Sequence, residues 1–159
     1  MTVRVGLGYD AHRLVQGRAL WLGGVRIDHD KGALGHSDAD VLIHALCDAL
    51  LGAAGLGDIG THFPDTDARW KDADSKILLA RVIELLKQHG WSVGNVDCTL
   101  ALERPKIKSH IAAMRAMLAP LLGMEVDAVG IKATTNESMG FVGREEGVCA
   151  WAVALIQKA

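Results

Sequence analysis

Thr2-Val3-Arg4-Val5-Gly6-Leu7-Gly8-Tyr9-Asp10-Ala11-His12-Arg13-Leu14 alternates along its whole length. Val3, Val5, Leu7 and Tyr9 fall on one side; Arg4, Gly6, Gly8, Asp10 and His12 fall on the other. A period of two is a strand. Working outward, Ala19–Ile27 holds the pair Gly23-Gly24 between apolar residues and predicts a small hairpin. Lys31–Ser37 is punctuated by glycine and is expected to be a loop. From Asp38 to about Ala54 the apolar stripe Leu42, Ala45, Leu46, Ala49 and Ala53 has helical spacing, with Ser37 or Asp38 as its cap. Gly52, Gly55, Gly57 and Gly60 break that helix into a loop over Gly57–Asp67, with Pro64 near its end.

The remainder continues the pattern. A second helix is expected from about Ser75 to His89, capped by Asp74 and stopped by Gly90. Val93–Glu103 is a strand with Val96, Cys98, Leu100 and Leu102 on one face, ended by Pro105. Ser109–Leu122 is a third helix stopped by Gly123, and Val129–Thr135 and Val148–Ile156 are strands. The order predicts a single α/β domain of the α+β type over residues 1–159. Its expected core is a mixed four-stranded sheet with helices on one face, plus the small hairpin. The sheet's other face then needs a cover, and copies of the same chain are the simplest one.

Composition narrows the function. Of 159 residues, 50% are hydrophobic and 23% charged, which is a packed composition rather than a disordered one. Seventeen basic and 19 acidic residues give a net charge of −2, and aromatics are only 4%, so a dedicated nucleic-acid binder is not expected. No apolar run is long enough for a membrane span, and no signal or transit peptide opens the chain, so a cytoplasmic protein is expected. From the length, a single domain without a fused second enzyme is expected. Cys47, Cys98 and Cys149 are isolated in sequence and are expected to be reduced core thiols.

Several constellations can carry chemistry. Asp10 and His12 lie two apart on one strand face and offer two zinc ligands, although such a pair often arises by chance. His44 shares a helical face with Asp40 and Asp48. That face is either merely solvated, or His44 is a third ligand whose tautomer a carboxylate fixes. Three ligands leave one tetrahedral position open, as catalytic zinc requires. His36-Ser37-Asp38 enters the helix where backbone N–H groups attract anions, though helix capping alone explains Ser37 and Asp38. Lys132-Ala-Thr-Thr-Asn-Glu137 runs from a strand into Ser138-Met-Gly-Phe-Val-Gly-Arg144. It offers hydroxyls, charge and, at Glu137, a hard ligand suited to magnesium on phosphates; an ordinary turn explains its glycines equally well. Gly57-Asp58-Ile-Gly60 and Pro64-Asp65-Thr-Asp67 place carboxylates in a long loop.

Together these segments resemble the 2-C-methyl-D-erythritol 2,4-cyclodiphosphate synthase family. The resemblance rests on Gly8-Tyr-Asp10-Ala-His12 and on His36-Ser-Asp-Ala-Asp40-Val-Leu-Ile-His44-Ala-Leu-Cys-Asp48. Leu56-Gly-Asp58-Ile-Gly60, Phe63-Pro-Asp65-Thr-Asp67 and Lys132 through Gly147 complete it. It implies a metal-dependent intramolecular cyclisation. The 2-phosphate of 4-diphosphocytidyl-2-C-methyl-D-erythritol 2-phosphate attacks the β-phosphorus of the same molecule, and CMP leaves. It implies zinc on Asp10, His12 and His44, and magnesium or manganese as a second divalent ion on Glu137. His36 and Ser37 would steady the substrate phosphate, and Asp58, Ile59, Gly60 and Asp65 the methylerythritol. Lys106, Ala133, Thr134 and Thr135 would hold the cytidine diphosphate, with His36 and Thr135 counted among the catalytic residues. The family's homotrimer would place sites between subunits. Tyr9, Phe141, Arg144 and Glu146 would line a central cavity that takes an isoprenoid diphosphate, Phe141 and Arg144 also touching substrate. Leu102-Glu103-Arg104 is bulkier and more charged than the alanine-rich stretch usual there, and Tyr9 stands where phenylalanine is common. Two other readings use the same residues: a zinc-dependent phosphoesterase releasing an open product, and a non-catalytic metal-binding trimeric scaffold.

Overall fold

Gly6 and Gly8 set the spacing between the two layers of the molecule. Both lie on β1 (Thr2–Gln16), directly under the helix α1 (Val41–Ala54). A Cβ on Gly8 would stand 1.8 Å from the Ala45 carbonyl oxygen, and one on Gly6 1.9 Å from that of Ala49. Helix backbone therefore rests almost on strand backbone. Across the ladder, Gly6 and Gly8 face Ala154 and Ala152 of β7 (Gly147–Lys158), so the trough holding α1 is floored by small residues.

The computed structural model describes residues 1–158. Five strands form the main sheet in the order β4-β1-β7-β5-β6, with β4 at Lys31–Leu34, β5 at Ser92–Ala101 and β6 at Val129–Thr134. Only β5 and β6 run parallel among these neighbours; the other pairs are antiparallel, so the sheet is mixed. The expected four strands become five because Lys31–Leu34, expected as a loop, pairs with Arg13–Gln16 at the far end of β1. Gly32 has no room for a side chain there: its Cβ would meet the Arg18 carbonyl at 2.2 Å. The glycine that suggested a loop instead permits a close crossing. The hairpin forms as expected, from β2 (Leu20–Leu22) and β3 (Val25–Ile27).

Helix α1 is buried on nearly every side, with Leu42, Ile43, Leu46, Leu50 and Leu51 fully enclosed. Its cap is Asp40, whose carboxylate accepts from the Ile43 N–H, not Ser37 or Asp38. The second long helix, α3 (Ser75–Gln88), is capped by Asp74 as expected and packs beside α1. The last, α4 (Ile111–Leu122), starts two residues later than expected, after a 3₁₀ turn at Lys108–His110. Two one-turn helices lie inside segments expected as irregular: α2 (Ile59–His62) and α5 (Gly140–Gly143).

The other sheet face lies open in the single chain. Val3, Val5, Leu7 and Tyr9 are each about half or more exposed, and Trp151 and Val153 of β7 join them. Tyr9 packs against Trp151 with ring centroids 5.3 Å apart and the planes tilted by 48°. Among the described residues no helix is long and apolar enough to cross a membrane.

Candidate metal centre and substrate pockets

The layer spacing brings three sequence-distant side chains to one point. Asp10 and His12 rise from the helix-covered face of β1, and His44 descends from the first turn of α1. His12 Nε2 lies 2.8 Å from Asp10 Oδ2, and His44 Nδ1 lies 3.2 Å from both Asp10 Oδ2 and His12 Nε2. Ligands held about 2.0–2.1 Å from zinc at tetrahedral angles stand about 3.3 Å apart, so this triangle fits one face of a zinc tetrahedron. The far nitrogens are oriented as ligation requires. His12 Nδ1 reaches the Leu34 carbonyl at 3.0 Å and donates to it, which leaves Nε2 as the free lone pair. His44 Nε2 sits 3.1 Å from Ser37 Oγ and 2.9 Å from Ser75 Oγ.

Charge follows from this geometry. Burial alone would raise the Asp10 carboxyl, but hydrogen bonds and charge from His12 and His44 together outweigh it and hold the group at about 2. Burial works against charge on His44, and Asp10, with help from Asp40 and Asp38, raises it nonetheless. Without metal, a proton on His44 pairs with Asp10, so metal and proton compete for one place. The pair's stabilisation is lost as pH falls through about 2 and as it rises through the elevated value of His44.

His12 and His44 of the triad line a cavity of about 460 Å³. Its lining includes His12, His36, Ser37, His44, Ile59, Gly60 and Asp65, all singled out from sequence. Phe63 and Trp70, packed edge to face 5.0 Å apart, wall its far side. Asp58 does not line it: its carboxylate caps α2, accepting from the Thr61 N–H and hydroxyl. A second cavity of about 180 Å³ is lined by Leu102, Lys106, Lys108, Ala133, Thr134 and Thr135, among others. Phe141 and Glu146 line a third with Ala11, His12 and Arg13; Arg144 pairs with Glu146 at 2.8 Å. Glu137 is exposed on a turn with φ +52° and lies outside the Asp10–His12–His44 cluster of its own chain. Within one chain the triad and the Thr134–Thr135 pocket are thus separate.

The sequence match spans the same elements. The YgbB family model covers residues 3–157. The chain belongs to the YgbB family. It is 60% identical over 157 residues to the 2-C-methyl-D-erythritol 2,4-cyclodiphosphate synthase of Salinibacter ruber, covering 99% of this chain and 100% of that one. The Bacteroides thetaiotaomicron synthase is 56% identical over 158 residues, 99% of each chain. A solved 2-C-methyl-D-erythritol 2,4-cyclodiphosphate synthase with CDP bound superposes with a TM-score of 0.90, at 41% identity over 97% of this chain and all of that one.

In this YgbB chain the expected face of Asp40, His44 and Asp48 does not act as a unit. Asp40 is fully buried and turned away, accepting from the Gly23, Gly24 and Ile43 N–H groups. Asp48 takes the Ile59 N–H at 2.7 Å and anchors α2. Helix α1 is enclosed on both flanks, so its carboxylates are spent on backbone donors. His44 is instead held by the serines. Ser75 gave no sequence signal beyond its place after a helix cap. Arg18 was also missed; its guanidinium donates to the Ala33, Gly35 and Ser37 carbonyls at 2.6, 3.1 and 2.7 Å, fixing the loop that presents His36 and Ser37. Glu103, part of the charged stretch before Pro105, accepts the Asn136 N–H at 2.7 Å and holds the turn that carries Glu137.

Proposed function

We infer that the chain is a 2-C-methyl-D-erythritol 2,4-cyclodiphosphate synthase, a phosphorus–oxygen lyase of isoprenoid biosynthesis. The observation that carries this reading is the cluster of Asp10, His12 and His44, two of which line a 460 Å³ cavity, in a chain 60% identical over its length to such a synthase. The substrate supplies both reacting groups. An oxygen of its 2-phosphate bonds to the β-phosphorus, the bond from that phosphorus to the CMP oxygen breaks, and the cyclic diphosphate forms. Such a step asks for positioning and charge neutralisation rather than a protein nucleophile.

We assign Asp10, His12 and His44 to zinc and Glu137 to magnesium or manganese. When bound, the two ions supply Lewis acidity and neutralise charge on the diphosphate. The protein's own groups do the rest. His36 and the Ser37 hydroxyl face the triad's cavity and steady the 2-phosphate. Ile59, Gly60 and Asp65 hold the methylerythritol end, and Phe63 and Trp70 keep water from its carbon skeleton. Asp58 acts at one remove, by fixing α2. Lys106, Ala133, Thr134 and Thr135 cradle the cytidine diphosphate. The CDP-bound relative supports a cytidine-diphosphate-linked substrate.

The reading includes a homotrimer, supported by the open apolar sheet face and by the separation of the two pockets within one chain. A subunit's triad would then meet its neighbour's Glu137 and Thr135. Tyr9, Phe141, Arg144 and Glu146 would border a central cavity suited to an isoprenoid diphosphate. Three free, buried cysteines support a reducing compartment, the cytoplasm.

The test is CMP release. The purified protein is expected to release CMP from the substrate, to stop after removal of its metal with a chelator, and to recover with added zinc. Full turnover in the metal-stripped protein would overturn the metal assignment; no CMP release by the metal-loaded protein would overturn the function.

A further inference from the structure

Ser75 is fully buried, although it lies at the first position of α3, where side chains usually meet water. Helix capping does not require it there, because Asp74 already takes the Lys76 N–H. Its partners are informative. Asp38 Oδ2 accepts the Ser75 N–H at 2.9 Å, and Asp38 Oδ1 accepts the Ser75 hydroxyl. A hydroxyl has one proton, and a carboxylate accepts it. With that proton committed to Asp38, Ser75 Oγ can only accept from its other neighbour, His44 Nε2, 2.9 Å away. The Nε2 therefore carries hydrogen, and the lone pair of the neutral imidazole lies on Nδ1, facing Asp10 and His12. Ser37 Oγ, which accepts the Ala39 N–H at 3.2 Å, can share the Nε2–H as a second acceptor.

We propose that Asp38 and Ser75 form a proton-locked relay that fixes the tautomer of His44 and so presets it as a metal ligand. The pair touches no substrate; both are positioning residues acting through His44. The relay rests on the metal reading above for its purpose but not for its geometry. It ties the start of α3 to α1 through the metal ligand. Outer partners of this kind are worth about 10–100-fold in metal affinity.

The experiment compares Ser75→Ala with Asp74→Ala. Zinc affinity is measured by competition with a chelator, and thermal midpoints are measured on metal-free protein. Ser75→Ala is expected to weaken zinc binding about tenfold or more. Asp74→Ala, which removes the neighbouring helix cap, should lower the midpoint and leave zinc affinity within about twofold. Equal zinc affinity in Ser75→Ala and wild type, or an equal loss in Asp74→Ala, would overturn the relay. The second readout needs no metal. In metal-free wild-type protein at alkaline pH, nitrogen-15 NMR of the His44 ring should show hydrogen on Nε2, and Ser75→Ala should show mixed tautomers. Hydrogen on Nδ1 in the wild type contradicts the relay. A wild-type protein with the Nε2 tautomer but no zinc binding would overturn the metal reading alone.

Discussion

Replacing His44 by alanine is expected to abolish stoichiometric zinc and to lower turnover by about a thousandfold or more, while the chain stays folded. The side chain is 12% exposed and its ring contacts are polar: Asp10, His12, Ser37 and Ser75. Its removal takes away one corner of the ligand triangle and leaves the Leu42–Leu46–Leu50 side of α1 untouched. A Lewis acid at a developing phosphoryl charge is worth several kcal/mol, and each 1.36 kcal/mol is tenfold in rate, so about 4 kcal/mol corresponds to the stated loss. Metal content of the purified variant decides the matter. One zinc per chain in folded His44→Ala would remove His44 from the ligand set.

The second large effect falls on folding. Gly8→Val should leave little folded protein. Overpacked cores usually lose about 1–3 kcal/mol because side chains give way. Here the obstacle is the Ala45 carbonyl, 1.8 Å from the new Cβ, and the Ala49 nitrogen at 2.7 Å, neither of which can rotate aside. Helix α1 would have to lift off the sheet along its length, exposing a core whose net stability is only about 5–15 kcal/mol. Gly52→Ala is the matched control on the same helix: nothing lies within 4 Å of its Cβ, so alanine there should stabilise by about 0.5–1 kcal/mol. Thermal unfolding of both variants checks the pair. A wild-type midpoint in Gly8→Val would show that the layers are not held at backbone contact.

Those two residues also mark how far the sequence could be read. The alternation in Thr2–Leu14 correctly announced a strand and put Asp10 beside His12. Its glycines carried no sign that a helix would press on them, because close approach depends on a partner distant in sequence. Helix α3 starts after Asp74 and stops before Gly90, and α4 stops at Gly123, as indicated, whereas α1 starts from Asp40 and α4 two residues late. Lys31–Leu34 was hidden because its pairing partner lies on β1, and local composition favoured a loop. At the site, Asp10, His12 and His44 were legible as candidate ligands and the structure brings them together, but their supports were not. Asp40 looked like a helper on the helical face and proved to be a backbone cap. Ser75, Arg18 and Glu103 act through contacts to chain 15 to 37 residues away, which no periodicity records.

Phosphorus NMR of the product tests the central claim most directly. The substrate carries one phosphomonoester at position 2 and one diphosphate. Cyclisation joins the 2-phosphate to the β-phosphorus, so the account predicts CMP plus a product whose two phosphorus atoms are coupled to each other through a P–O–P link, with no monoester signal except that of CMP. Attack by water instead would leave the 2-phosphate as a free monoester and yield a second, uncoupled one. CMP accompanied by two uncoupled phosphomonoesters would contradict the account and make the protein a phosphoesterase.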